Sequence, residues 1–188
     1  MIARALLALF RQPGILAVRA ALTFAAMNVR EETGANRGRW VDAIVELGGG
    51  DDEDAPAWCM LFCWACWHIA ALALGLEVTS RTSGSVVSSW HRATDAERVI
   101  GNPRAGDLLL RVRKAEDLAT VRAGGWCPGH AEIVVRCDDA GKLVTVGGNT
   151  FSEDGAEGDG VYIHRSTYTM NDDRIIGFIR PSVKRCGS

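Results

Sequence analysis

Cys59, Cys63 and Cys66 are crowded into the segment PAWCMLFCWACWH, residues 56–68, and a fourth cysteine, Cys127, shortly precedes His130. Thiols and imidazoles in such patterns either hold a metal or pair as nucleophile and base. The C-x3-C-x2-C spacing matches a three-cysteine iron–sulfur ligand set. Such ligands sit on a loop wrapped around the cluster, however, whereas the residues between these cysteines are apolar and helix-compatible. A Cys3His zinc set would join Cys63 and Cys66 to Cys127 and His130. Zinc half-sites favour tight turns, and Cys127-Pro128-Gly129-His130 reads as one, but the first pair falls inside an apolar helix. A third reading separates the cysteines. At about 100° per residue, Cys63 and Cys66 share a side with Cys59, one and two turns further on, and that side faces inward. Cys59 differs because Pro56 and an acidic loop place it at the helix start. Free N–H groups and the positive end of the helix dipole stabilise a thiolate there.

A thiol nucleophile needs a base, and four histidines are available. His68 follows Cys59 by about 900° of helical rotation and points to the opposite side. His91 ends a short helix and His164 ends a strand, and both read as surface or satisfied core histidines. His130 follows a glycine-rich loop and opens a strand, where a side chain is held rigidly beside a cleft. With Asp139-Ala140 as a two-residue hairpin loop, paired positions sum to 279, and His130 lies opposite Asn149. Neighbouring registers move that partner to Thr150 or Phe151. Asn149 would then orient the imidazole toward Cys59, the Cys–His–Asn logic of papain-like enzymes.

The elements that must position these residues are helical first and extended second. A short N-terminal helix is expected to break at Pro13-Gly14, with a second helix running to about Val29. Helices follow over Arg39–Leu47, stopped by Gly48-Gly49-Gly50, over Trp58–Leu74, and over Ser83–Arg92. Strands are expected at Asp107–Val112, His130–Arg136, Lys142–Val146, Val161–His164 and Ile175–Arg180. Helices followed by an antiparallel sheet make an α+β domain.

A chain of 188 residues with 47% apolar composition suits one domain, and the net charge of −2, without long runs of either sign, argues against a nucleic-acid surface. Arg4, Arg11 and Arg19 interrupt the apolar N-terminus well short of the roughly 20 residues that span a bilayer, so no membrane insertion is expected. Arg11-Gln12-Pro13 likewise cuts short any signal-peptide core, and no signal peptide is recognisable. Six cysteines without a secretion signal weaken the case for a disulfide framework, leaving a Cys127–Cys137 bridge open. The oligomeric state is not legible.

Several motifs in order resemble one family. Pro56-Ala57-Trp58-Cys59-Met60-Leu61-Phe62-Cys63-Trp64 resembles the P-W-C-x-x-F-x-x-W segment of CHAP-type cysteine amidases and endopeptidases, relatives of the NlpC-type peptidases. Glu31 to Asn36 resembles their E-x-x-G-x-N, and Pro103 to Asp107 their P-x-x-G-D. Gly129 to Val134 resembles G-H-V-G-I-V, followed by Gly148-Asn149-Thr150 and Gly177-Phe178-Ile179-Arg180-Pro181. The likeness spans about residues 15–182 of a single domain, 1–188, with residues 1–14 as an extra N-terminal helix. It implies a papain-like fold, with the cysteine helix packed on a small antiparallel β-barrel or sheet. It also implies hydrolysis of amide bonds in the peptide part of peptidoglycan, acting on the cell wall as a phage lysin, a virion-associated protein or an exported enzyme.

This reading assigns Cys59, His130 and Asn149 as catalytic residues and offers Trp58, Trp90 and Trp126 as cleft-lining candidates. It requires no cofactor and no metal. The chain departs from the family by an extra alanine before Trp58 and by Gly147, where many members carry Glu. In the hairpin register Gly147 faces Glu132. Either Glu132 reaches across to supply the missing carboxylate, or it is a solvent-facing strand residue. Some relatives bind calcium before the cysteine, but Asp51, Asp52, Glu53 and Asp54 lack alternating spacing and read as a solvated loop. Two rivals are a non-catalytic module of the same fold in a phage tail or secretion assembly, and a zinc-stabilised binding domain.

Overall fold

The computed structural model describes residues 12–50, 56–150 and 158–187. The expected helix before Pro13 and the acidic loop 51–54 lie outside the described residues. Among the described residues, five helices precede and interleave with antiparallel strands: α1 Pro13–Ala26, α2 Arg39–Leu47, α3 Cys59–Ala73, β1 Leu76–Val78, α4 Val86–Arg92, β2 Arg98–Val99, β3 Leu108–Val112, α5 Asp117–Arg122, β4 Gly129–Cys137, β5 Lys142–Thr150, β6 Gly160–Thr169, β7 Ile175–Ile179 and β8 Val183–Arg185. The expected α+β architecture is present. The short β1, β2, β8 and α5 were not anticipated, because elements this brief carry no periodicity.

The six-stranded sheet runs β2-β7-β3-β4-β5-β6, and β1 pairs with β8 in a separate ribbon. The larger sheet is open, with β2 and β6 at its edges, so the closed-barrel alternative is not realised. One face, through Leu108, Leu110, Ala131, Ile133 and Val146, packs against α3. The opposite face carries Leu109, Val134, Leu143, Tyr168 and Phe178.

α3 is the central element. Residues Cys59 to Trp67 are all buried, because α1 and α2 cover the sides that the sheet does not. The inward face expected for Cys59, Cys63 and Cys66 is thus part of a helix enclosed all round for its first turns. Each indole in this apolar setting satisfies its one donor: Trp58 Nε1 donates to Glu31 Oε1 at 3.0 Å, Trp64 to Ser83 O at 3.1 Å and Trp67 to Gly106 O at 2.9 Å.

Pro13 opens α1 after an extended Gln12, at a position where its fixed φ and missing N–H cost nothing. Gly14 permits contact with the loop before β3: a Cβ at Gly106 would sit 2.3 Å from Gly14 Cα, and Gly106 itself has φ 94. α2 ends as expected at the glycine run, since a Cβ on Gly48 would meet Leu61 O at 2.4 Å. That close approach seats α2 on α3.

Candidate active site

Cys59 is the first residue of α3, and His130 stands one residue into β4. Both are buried, at 6% and 7% exposure, and the thiol and imidazole are close enough to shift each other's titration. Burial opposes ionisation of the thiol. The polar contact and charge of His130 outweigh it, with the backbone at Ala131 and Met60 adding to them, and hold the Cys59 pKa below the usual thiol value. The contribution of Met60 is that of a helix N-terminus. Burial drives the pKa values of Cys63 and Cys66 well up, and at Cys63 the neighbouring thiols and Glu132 add to it. One segment therefore contains one acidic thiol and two inert ones.

Burial also opposes charge on His130, but its contacts with Cys59 and Glu132 prevail and push it up to about 9. Its Nε2 lies 3.2 Å from Glu132 Oε1, a close ion-pair contact without the alignment of a full hydrogen bond. Glu132 is 1% exposed and is held by three further donors: His164 Nδ1 at 2.9 Å, Tyr168 OH at 2.7 Å and Thr145 Oγ1. Burial disfavours its charge, yet these hydrogen bonds and the two histidines keep its pKa far below the ordinary carboxylate range. It is a fixed anion behind the imidazole.

The hairpin explains how Glu132 reaches this place. Ile133 pairs with Val146 and Val134 with Thr145, both in the register expected from the sequence, whereas Arg136 pairs with Val144 and Cys137 with Leu143. The turn is one residue longer than expected: Asp138 N donates to Lys142 O, and Gly141 adopts φ 76. A bulge at Val135 offsets the extra residue, so the expected register returns at the site. A Cβ on Gly147 would lie 2.9 Å from Glu132 Cγ. The Glu132 side chain thus occupies the space over Gly147, as one of the two readings of this pair required.

Asn149 goes elsewhere. The β5–β6 register shifts between Gly147 and Thr150, and Asn149 takes φ 49, which breaks the alternation on which the hairpin count relied. Its amide is best satisfied with Oδ1 accepting from Trp58 N–H and Nδ2 donating to Gly158 O, both at 3.0 Å, and it lies 2.9 Å from the Asn36 amide. Asn149 therefore ties the start of α3 to β5 and makes no hydrogen bond to His130.

Two clefts flank the Cys59–His130 pair. One of about 660 Å³ is lined by His130, Asn149, Asn36 and three arginines, Arg111, Arg113 and Arg174. The other, about 370 Å³, is lined by Cys59, Trp126, Cys127 and again Arg113. Of the three tryptophans, Trp126 is 65% exposed and lines the Cys59 side, its Nε1 donating to Ser85 Oγ at 3.1 Å. Trp58 is fully buried and presents no surface to either cleft. Trp90 packs on Gly177 and Arg98, away from both.

His68 and His91 contact the carbonyls of Leu47 and Val121, as expected of satisfied histidines. His164 is also satisfied, but by Glu132, in the middle of a strand that continues to Thr169. His164, Tyr168 and Thr145 are the site residues that sequence reasoning missed. Thr145 pairs directly with His164, so a correct β5–β6 register would have aligned them. Cys127 and Cys137 are free thiols, and no group of three or more His, Cys, Asp or Glu side chains among the described residues is arranged to hold a metal.

The matched motifs also contact one another. Glu31 bonds Trp58, Asn36 meets Asn149, and Asp107 takes a two-pronged bond from Arg180 at 2.9 and 2.8 Å. No described helix is long and apolar enough to cross a membrane. Comparisons with protein-family models, curated proteins and solved structures returned no match to this chain.

Proposed function

We propose that the protein is a papain-like cysteine hydrolase of the CHAP/NlpC type that cleaves an amide bond in the peptide part of peptidoglycan. The observation that carries this reading is the acidic thiol of Cys59 at a helix N-terminus, beside a histidine that is itself backed by a buried carboxylate. Near neutral pH this arrangement favours a thiolate–imidazolium pair.

The Cys59 thiolate attacks the amide carbonyl, and the developing oxyanion is stabilised by the Cys59 backbone N–H at the start of α3. His130 delivers its proton to the departing amine as the C–N bond breaks, leaving a thioester on Cys59. Water then gives a proton to His130 and attacks the thioester carbonyl. The carboxylic acid leaves, and the thiolate–imidazolium pair is restored. Glu132 holds the imidazole and stabilises its charge throughout, and Asn149 anchors the turn that presents Cys59.

The non-catalytic alternative drew weight from Gly147. Glu132 fills that position in space, and this favours the enzyme. Digestion of purified peptidoglycan by wild type and Cys59→Ala, with product masses, tests the reading. Soluble peptide or amine products from wild type alone are expected, and identical traces from both proteins would overturn it.

A further inference from the structure

The larger cleft lies along the end of the sheet, and the strand registers place charged residues in a row across it. Ile175, which follows Arg174, pairs with Arg111, and Arg111 pairs with His130. On the other side of His130 come Asn149 and Thr150 on β5, then Asp159 next to Gly160, which pairs with Thr150. Cations therefore occupy the β7–β3 side of the histidine, and Glu31 and Asp159 the β6 side.

Most of these charges are already matched within the protein. Arg174 is clamped on Asp172 through bonds of 2.9 and 2.7 Å. Glu31 accepts from Trp58, and Asp159 accepts from Tyr162 OH at 2.8 Å and faces Arg30 at 3.9 Å. Arg111 and Arg113 line the cleft without a salt bridge to any described carboxylate; Arg111 interacts with the Tyr168 hydroxyl and feels the charge of Asp172, and its buried Nε has no acceptor. The two differ in burial. Arg113 is exposed and borders both clefts, whereas Arg111 is half-buried, with its guanidinium carbon 5.0 Å over the Tyr168 ring. A cation fixed by stacking beside the catalytic histidine is pre-organised for an anion, and a guanidinium fork matches a carboxylate in particular. Paired cross-strand positions lie roughly 5 Å apart, so the bound group must sit within about one residue of the bond being cut.

We infer that the His130-side cleft contains a carboxylate subsite with Arg111 as its stacked cation and Arg113 as its exposed one, and that the substrate carries a free carboxylate on a residue flanking the scissile amide. The substrate half of this inference rests on the proposed hydrolase function; the binding half does not. A stem peptide with a free side or terminal carboxylate fits the subsite, and the same peptide with that group amidated does not.

The test uses two synthetic stem peptides, alanyl-isoglutamate and its isoglutamine amide, each extended by one lysine. Calorimetric binding to the Cys59→Ala protein is measured first, then cleavage by wild type. Binding should favour the free carboxylate by on the order of 10-fold or more, with the preference shrinking as ionic strength rises. Arg111→Gln should reduce the ratio to about one, and Arg111→Lys, which keeps charge but not the fork, should give an intermediate value. Equal binding of both peptides to the Cys59→Ala protein, or a preference unchanged in both Arg111 variants, would overturn the subsite. Arg111-dependent preference without any cleavage by wild type would uphold the subsite and overturn the hydrolase reading.

Discussion

At the scale of single residues, the segment that first suggested a ligand cluster resolves into one acidic thiol and two buried ones. Small alkylating reagents should therefore label Cys59 fastest at neutral pH, and peptide mapping should show Cys63 and Cys66 protected until the protein unfolds. His130→Ala should slow that labelling, since it removes the main group that lowers the Cys59 pKa. Glu132 makes a second prediction. His130 titrates at about 9 partly because of Glu132, so the alkaline limb of kcat/KM should fall near that pH. Glu132→Gln should move the limb toward lower pH and reduce kcat by on the order of 10² to 10⁴. A pH–rate profile that stays in place in the variant would remove Glu132 from this role.

At the scale of elements, the helix start and the sheet end must be held in register, and Asn149 is the tie. Asn149→Ala frees Trp58 N–H and Gly158 O, with a stability cost of roughly 1–3 kcal/mol. It should lower both turnover and the alkylation rate of Cys59 while leaving the alkaline limb near about 9, because His130 keeps its carboxylate. An alkaline limb displaced by Asn149→Ala would restore Asn149 as the orienting residue. The loop before β3 gives an independent prediction. Gly106 has φ 94 and abuts Gly14, so Gly106→Ala combines backbone strain with a main-chain clash and should cost about 3 kcal/mol or more, read as a lowered Tm.

At the scale of the whole molecule, the charged network on the face opposite α3 links stability to pH. The Glu132 pKa lies far below 4.5 in the fold, so its contribution is complete above about 4.5 and is lost as the pH falls toward the folded value. The His130 pKa is raised from 6.5 to about 9, so its contribution is complete below about 6.5 and is lost as the pH rises through about 9. Denaturant unfolding should accordingly show greatest stability between about pH 4.5 and 6.5, and Glu132→Gln should flatten both flanks. A variant curve parallel to wild type would show that these groups are not the source.

The amino-acid order by itself determined what depends on short-range periodicity. The apolar run from Trp58 forms a helix with Cys59 at its start, the glycine run stops α2, and alternating residues from His130 form a strand facing Lys142 onward. Helical and pleated repeats are local properties, and a few neighbouring residues express them. Tertiary structure decided which polar side chains meet. A longer turn and a bulge at Val135 cancel to bring Glu132 over Gly147, while a shift near Asn149 turns its amide from His130 to Trp58. His164, Tyr168 and Thr145 join Glu132 only because β6 continues past His164 and pairs with β5 in a register broken by irregularities. A one-residue insertion reverses the facing of every side chain beyond it, and no local pattern records where two such insertions cancel.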